Sequence, residues 1–199
     1  MPDVTLSDAV DVICRAGSTK MTKVAQIKNR PPYHPSLDFY RPLRSALIAL
    51  HIEGNDRKAL DKILEKITDV KKIGSYDQVI EGYRKWWGYK KIEWFDPPKS
   101  SYEHAGVVVK VNPELGLIVN GQRYIIKLYL KDEQLQKIRI DPATVLMEIA
   151  LRSIAQSSDL VAILDVRKAK LHTLGSNIAR SKPMVDAELS YIAALWPNV

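Results

Sequence analysis

His104–Lys131 reads HAGVVVKVNPELGLIVNGQRYIIKLYLK and is the one long run of strand-type residues in the chain. Gly106–Val111 is β-branched and apolar, the kind of surface that fits a pleated sheet. Asn112-Pro113-Glu114 is turn chemistry, because proline fixes φ and removes a donor. Leu115–Val119 is a second apolar run. Asn120-Gly121 then supplies two residues that tolerate the positive φ of a tight hairpin. Gln122–Lys131 alternates, with Tyr124, Ile126, Leu128 and Leu130 on one face. Arg123, Ile125, Lys127, Tyr129 and Lys131 take the other. The pattern predicts a three-stranded antiparallel meander. One face enters the core, and the other is cationic and aromatic towards the end of its third strand.

Helical periodicity dominates on both sides. Leu6–Arg15 carries Leu6, Val10 and Ile13 on a stripe, with Thr5 and Asp8 spaced to cap its start. Lys20–Asn29 follows a Gly-containing turn and sets Lys20, Lys23 and Lys28 outward, the outline of a helix-turn-helix. Most short helix pairs bind nothing, so plain packing is the competing reading. Arg30–Pro35 (RPPYHP) is extended by its prolines. Helices are expected at Ser36–Ile52, capped by Asn55 at Asp56–Thr68, and, after a break at Gly74-Ser75, at Tyr76–Trp87. Beyond the meander, Asp141-Pro142 opens a helix. Leu160–Val166 is a buried strand, Leu171–Leu174 pairs back, and Met184–Trp196 is a closing helix. The fold class is therefore α+β. A helical N-terminal half (1–75) joins an α/β unit (76–199) built on a small mixed sheet at 104–174: meander, helix, further strand.

A chain of 199 residues buries enough core to need no staple, and the single Cys14 excludes an internal disulfide. No apolar run has the length of a membrane span. The start, MPDVTLSDAV, has no signal-peptide apolar stretch. The expectation is a cytoplasmic protein without a membrane partner. The net charge of +7 suits a polyanion partner, DNA or RNA, against the plainer alternative of excess solvated lysine. Tyr83–Phe95 (YRKWWGYKKIEWF) interleaves Arg84, Lys85, Lys90 and Lys91 with six aromatics. Such a segment stacks bases and holds phosphates, or cements helices to a sheet, or buries against a partner in a homo-oligomer.

The order from Tyr76 to Leu174 is helix, three strands, helix, strand. It resembles the core of the restriction-endonuclease-like PD-(D/E)XK fold, over about half the chain and in topology rather than motif. The resemblance implies an acid on the second core strand and a D/E-x-K on the third, holding a divalent metal that activates water. Here the third strand offers Ile125-Ile126-Lys127 and Tyr129-Leu130-Lys131, so the lysine is present and the carboxylate position holds Ile125 or Tyr129. The second strand ends in Asn120, and its nearest acid is Glu114. The leading expectation is a non-catalytic nucleic-acid-binding protein with a degenerate nuclease-like core. Arg123, Lys127 and Lys131 would meet phosphates with Lys90, Lys91, Arg167, Lys168 and Lys170, with no metal and no cofactor. The alternatives are a metal-dependent nuclease with displaced carboxylates, Glu114 and Asp165 beside Lys127, and an assembly module using Tyr83–Phe95. His34, His51, His104 and His172 have no metal-ligand spacing, and no phosphate-binding loop or nucleophile elbow occurs.

Overall fold

A computed structural model describes residues 1–32, 34, 38–65, 67, 69–175 and 177–199. The elements in chain order are β1 (Asp3–Thr5), α1 (Leu6–Ile13), α2 (Gly17–Lys28), α3 (Arg41–Ile52), α4 (Asp61–Glu65) and α5 (Val70–Trp87). Then come β2 (Ile92–Phe95), β3 (Ser100–His104), β4 (Val107–Val111), β5 (Leu115–Val119) and β6 (Gln122–Tyr129). α6 (Lys137–Leu151), β7 (Leu160–Asp165), β8 (Lys170–Thr173) and α7 (Ile178–Leu195) complete the chain. The class is α+β, as the sequence predicts.

The strand-rich stretch divides between two sheets. β2-β5-β6-β7-β8 form the larger and β1-β4-β3 the smaller. This corrects the expected meander. β4 does not lie beside β5; it pairs with β3 and, in parallel, with β1. The strand beside β5 is β2, antiparallel to it, with Trp94 opposite Leu117. β5 and β6 form the hairpin expected at Asn120-Gly121, where both residues have positive φ. β6 and β7 run parallel, with α6 as the crossover, and β8 pairs back antiparallel to β7.

The larger sheet is covered on both faces, which corrects the expected cationic face. Ile126, Leu128, Leu130, Leu115, Leu117, Ala162 and Leu164 share a core with Leu43 and Leu47 of α3 and Tyr76, Ile80 and Tyr83 of α5. On the other side Ile125, Val161 and Ile163 join a second core with α1, α6, α7 and the smaller sheet. Two-sided burial explains why β5 and β7 are apolar nearly throughout. The position expected at 75/76 for a unit boundary falls inside α5, and α1 shares its core with α6 and α7.

Local signals explain most helix ends. Thr5 and Asp8 make the reciprocal capping box at the start of α1. Pro42 lies in the first turn of α3, which begins at Arg41; Ser36, the expected start, is outside the described residues. Asp56, not Asn55, caps the next segment, a 3-10 turn at Arg57–Leu60 ahead of α4. α5 runs through Gly74-Ser75, where a break is expected. α6 begins at Lys137, so Pro142 sits inside it. Proline withdraws the donor that would reach the Ile138 carbonyl. The Cys14 thiol donates to that carbonyl instead, at 3.1 Å. No helix among the described residues is long and apolar enough to cross a membrane.

Candidate functional site

The eight cations singled out by the sequence do not form one surface. Arg123 donates to Asp159 at 2.6 Å, and its guanidinium lies 3.7 Å from the centre of the Phe95 ring. The Asp159 side chain is only 2% exposed, so removing either partner strands a charge. Lys127 reaches Glu114 at 2.6 Å and the Asn112 carbonyl at 3.2 Å. Arg167, 10% exposed, donates to the Leu130 carbonyl, to Gln78 and to the Ser75 hydroxyl. These three side chains fasten elements together. As phosphate contacts they would first have to give up these partners.

The remaining five split between the two ends of the larger sheet. Lys91 and Lys90 precede β2 at the end where β5 turns into β6, since the Lys91 amide donates to Asn120 Oδ1. Lys131 follows β6 at the other end, where Lys168 occupies the β7–β8 turn and Lys170 opens β8. Arg123 and Tyr129 mark the same two ends of β6, about 20 Å apart at the rise of an extended strand. Lys131, Lys168 and Lys170 are exposed.

At the first end the cation–aromatic segment sorts itself. Tyr83, Trp86 and Trp87 are buried in the core under α3, so they cement the helix to the sheet and are not available to a partner. Tyr89 alone stands fully out in solvent. The reason is local: Gly88 at φ +54 turns the chain sharply out of α5. The Arg57 guanidinium sits 5.7 Å from the Tyr89 ring centre, held there by a bond to the Gly88 carbonyl at 2.8 Å. Lys90 folds back onto the Trp86 carbonyl and ring. Lys91 is 82% exposed and pairs with Glu93 at 3.0 Å, a contact of little strength in water. Lys58, next to Arg57 in sequence, and Lys85, in the last turn of α5, are exposed, with no carboxylate in ion-pair range among the described residues.

At the second end a cleft of about 160 Å³ opens between α1, α6 and the end of β6. Its charged lining is Arg44, Lys127, Lys131 and Arg139 against Asp11 and Glu114. Arg139 pairs with Asp11 at 2.5 Å, and Lys23 supports the same carboxylate at 3.2 Å. These cations hold the Asp11 carboxyl below its ordinary range despite its burial. Tyr129 lies in the same wall. Its hydroxyl is closed off from solvent and has no hydrogen-bond partner among the described residues. Burial, with Glu133 beyond it, pushes that phenol up to about 12.

The carboxylates of the nuclease alternative are each engaged within the chain. Glu114 uses both oxygens, one on Lys127 and the other on the Leu128 amide at 2.9 Å. Asp165 is buried and accepts from the Lys168 amide across the β7–β8 turn. Among the described residues no three His, Cys, Asp or Glu side chains are grouped to hold a metal. The donor set that a hard divalent ion needs does not fit this cleft. The helix-turn-helix outline fares similarly. Lys20 and Lys23 pair with Glu188 and Asp11, and Lys28 meets the carbonyls of Trp196 and Val199.

Sequence reasoning missed Arg57, Asp11, Arg139 and Asp159. Their roles come from contacts between distant segments, and no local spacing encodes them. Tyr89 was visible only as one of six aromatics, although the glycine before it could have separated it from the buried rings.

No family model matches the chain, and no curated protein matches it.

Proposed function

We propose that this protein binds nucleic acid without cleaving it, through the Tyr89 turn. The carrying observation is the fully exposed Tyr89 ring beside Arg57, with exposed Lys58 next to Arg57 in sequence and exposed Lys85 and Lys91 on either side of the turn along the chain. An open aromatic face accepts any unpaired base, and neighbouring cations neutralise the phosphates on either side. That chemistry favours a single strand. The strand order β2-β5-β6-α6-β7 supports a nuclease-like core, and the engagement of Glu114 and Asp165 within the chain favours binding over hydrolysis.

The test is fluorescence anisotropy with a labelled single-stranded oligonucleotide over a range of salt. With about three phosphates neutralised, log affinity should fall against log salt with a slope near −2. Tyr89→Ala should weaken binding by about 1–3 kcal/mol, and Lys85→Ala with Lys91→Ala should flatten the slope. Binding indifferent to salt, or unaffected by loss of the ring, sinks the proposal. Incubation with Mg²⁺ or Mn²⁺ should leave the strand intact. Cleavage abolished by Glu114→Ala would replace this reading with that of a nuclease.

A further inference from the structure

The cleft at the far end of β6 is a separate feature, and its chemistry differs from that of the Tyr89 turn. Lys127 and Tyr129 alternate along β6 and so project to the same side, and Lys131 follows two residues beyond its end. All three line the cleft with Arg139. Four lining cations face two carboxylates, and both carboxylates are already paired: Asp11 with Arg139 and Lys23, Glu114 with Lys127. Arg44 is matched by Asp38, and Glu133 stands 3.9 Å from Arg139 on the exposed rim. Lys131 has no carboxylate in ion-pair range among the described residues. With Lys23 counted, five cations meet four carboxylates, and Lys131, the one without an ion pair, acts on Asp11 from beyond ion-pair range.

Two residues before Lys131 in the same lining is Tyr129, whose hydroxyl is buried and has no partner among the described residues. A buried hydroxyl with no acceptor destabilises the protein that carries it. It gains most from a ligand that brings an acceptor. Because the phenol titrates only near 12, it remains a donor at neutral pH. An oxyanion supplies acceptors for hydroxyl and ammonium together. Phosphate offers three terminal oxygens where a carboxylate offers two, which suits donors approaching from several sides. The opposite wall, Leu6, Val10 and Leu135, is apolar and suits a short carbon skeleton. The cleft volume equals that of roughly five waters, enough for a phosphoryl group with a small substituent and far too little for a duplex.

We infer that this cleft binds a phosphomonoester, its oxyanion held by Lys131 and Arg139 and, once the ring turns its closed-off hydroxyl towards the cleft, by Tyr129. The inference is independent of the Tyr89 turn. The same group could reach the cleft on a small metabolite or as the terminal phosphate of a strand.

Glycerol 2-phosphate is the probe, titrated calorimetrically at fixed ionic strength with sodium chloride as the matched control. Wild type should bind saturably. Tyr129→Phe and Lys131→Ala should each weaken binding about tenfold or more, the loss of one hydrogen bond to a charged group. A second readout guards against a folding defect. Tyr129→Phe removes the orphaned hydroxyl, so the ligand-free variant should melt a few degrees above wild type. Displacement of the probe by a 5′-phosphorylated oligonucleotide but not by its hydroxyl-ended counterpart would assign the ligand to a strand end. Displacement by neither would assign it to a small metabolite, and both results keep the site. Absence of saturable binding in wild type, or Tyr129→Phe binding as tightly as wild type, overturns it.

Discussion

Gly82→Ala is expected to destabilise the protein by about 3 kcal/mol, at the upper end of what overpacking costs. A methyl group on Gly82 would lie 2.1 Å from the Val166 carbonyl oxygen and 3.0 Å from the Arg167 Cα. Both obstacles are backbone, so neither can rotate away. α5 would have to lift off the end of β7, loosening Tyr76, Val79, Ile80 and Tyr83 in the core beneath it. Gly74 on the same helix is the control. Nothing lies within 4 Å of a Cβ added there. Gly74→Ala should therefore gain the helix propensity of alanine, about 0.5–1 kcal/mol. Urea denaturation of the two variants measures the difference, and similar midpoints would show that α5 does not press on β7 as described.

The same two glycines show where sequence reading stops. Both are helix-interior glycines, and one was read as a break because glycine is a poor helix former. What separates them is a strand more than eighty residues downstream, which no window along the chain contains. The strands tell a similar story. The alternation in Gln122–Lys131 and the Asn120-Gly121 turn were legible because both are local. The neighbour of β5 was misassigned because Ile92–Phe95 is short and follows four aromatics that read as helix and interface. Val107–Val111 looked like its natural partner by adjacency, yet it closes a second sheet with Asp3–Thr5 from the other end of the chain.

The candidate site was legible to the same degree. Period-two alternation sets Lys127 and Tyr129 on one side of β6, and both line the cleft with Lys131. It could not tell that Lys127 pairs with Glu114 across the strand pair while Lys131 acts on Asp11 only from beyond ion-pair range. Charge counts treat every lysine alike; the fold sorts them by partner. Arg123, Lys127 and Arg167 became structural. Lys91, Lys131 and Lys168 stayed on the surface because they lie just outside the strands, in connecting segments. Of the six aromatics, Tyr89 is the exposed one for the same reason.

Lowering the pH from 6.5 to 4 should remove about 3 kcal/mol of stability through His51 alone. His51 is 5% exposed between α3 and α5. Its ring stacks on Trp87 at 4.8 Å, and Nε2 shares a 2.6 Å hydrogen bond with the Tyr83 hydroxyl. Burial holds the imidazole down at about 4 and pushes the Tyr83 phenol far up, so both stay neutral when folded. In the unfolded chain the same histidine titrates near 6.5. Between these values the unfolded state binds a proton that the folded state refuses, so stability rises with pH across that window. It is complete above about 6.5 and declines as the pH falls towards 4. Asp11 and Asp186, held below their ordinary 3.8, contribute losses at lower pH and do not overlap much. His172 is also lowered by burial and adds a smaller effect of the same sign. The measurement is unfolding free energy against pH for wild type and His51→Gln, which keeps a polar partner for Tyr83. The variant should be less stable at pH 7 and lose much less on acidification. Parallel curves would mean that a charged imidazole is accommodated between α3 and α5, and that the packing against Trp87 is looser than these contacts imply.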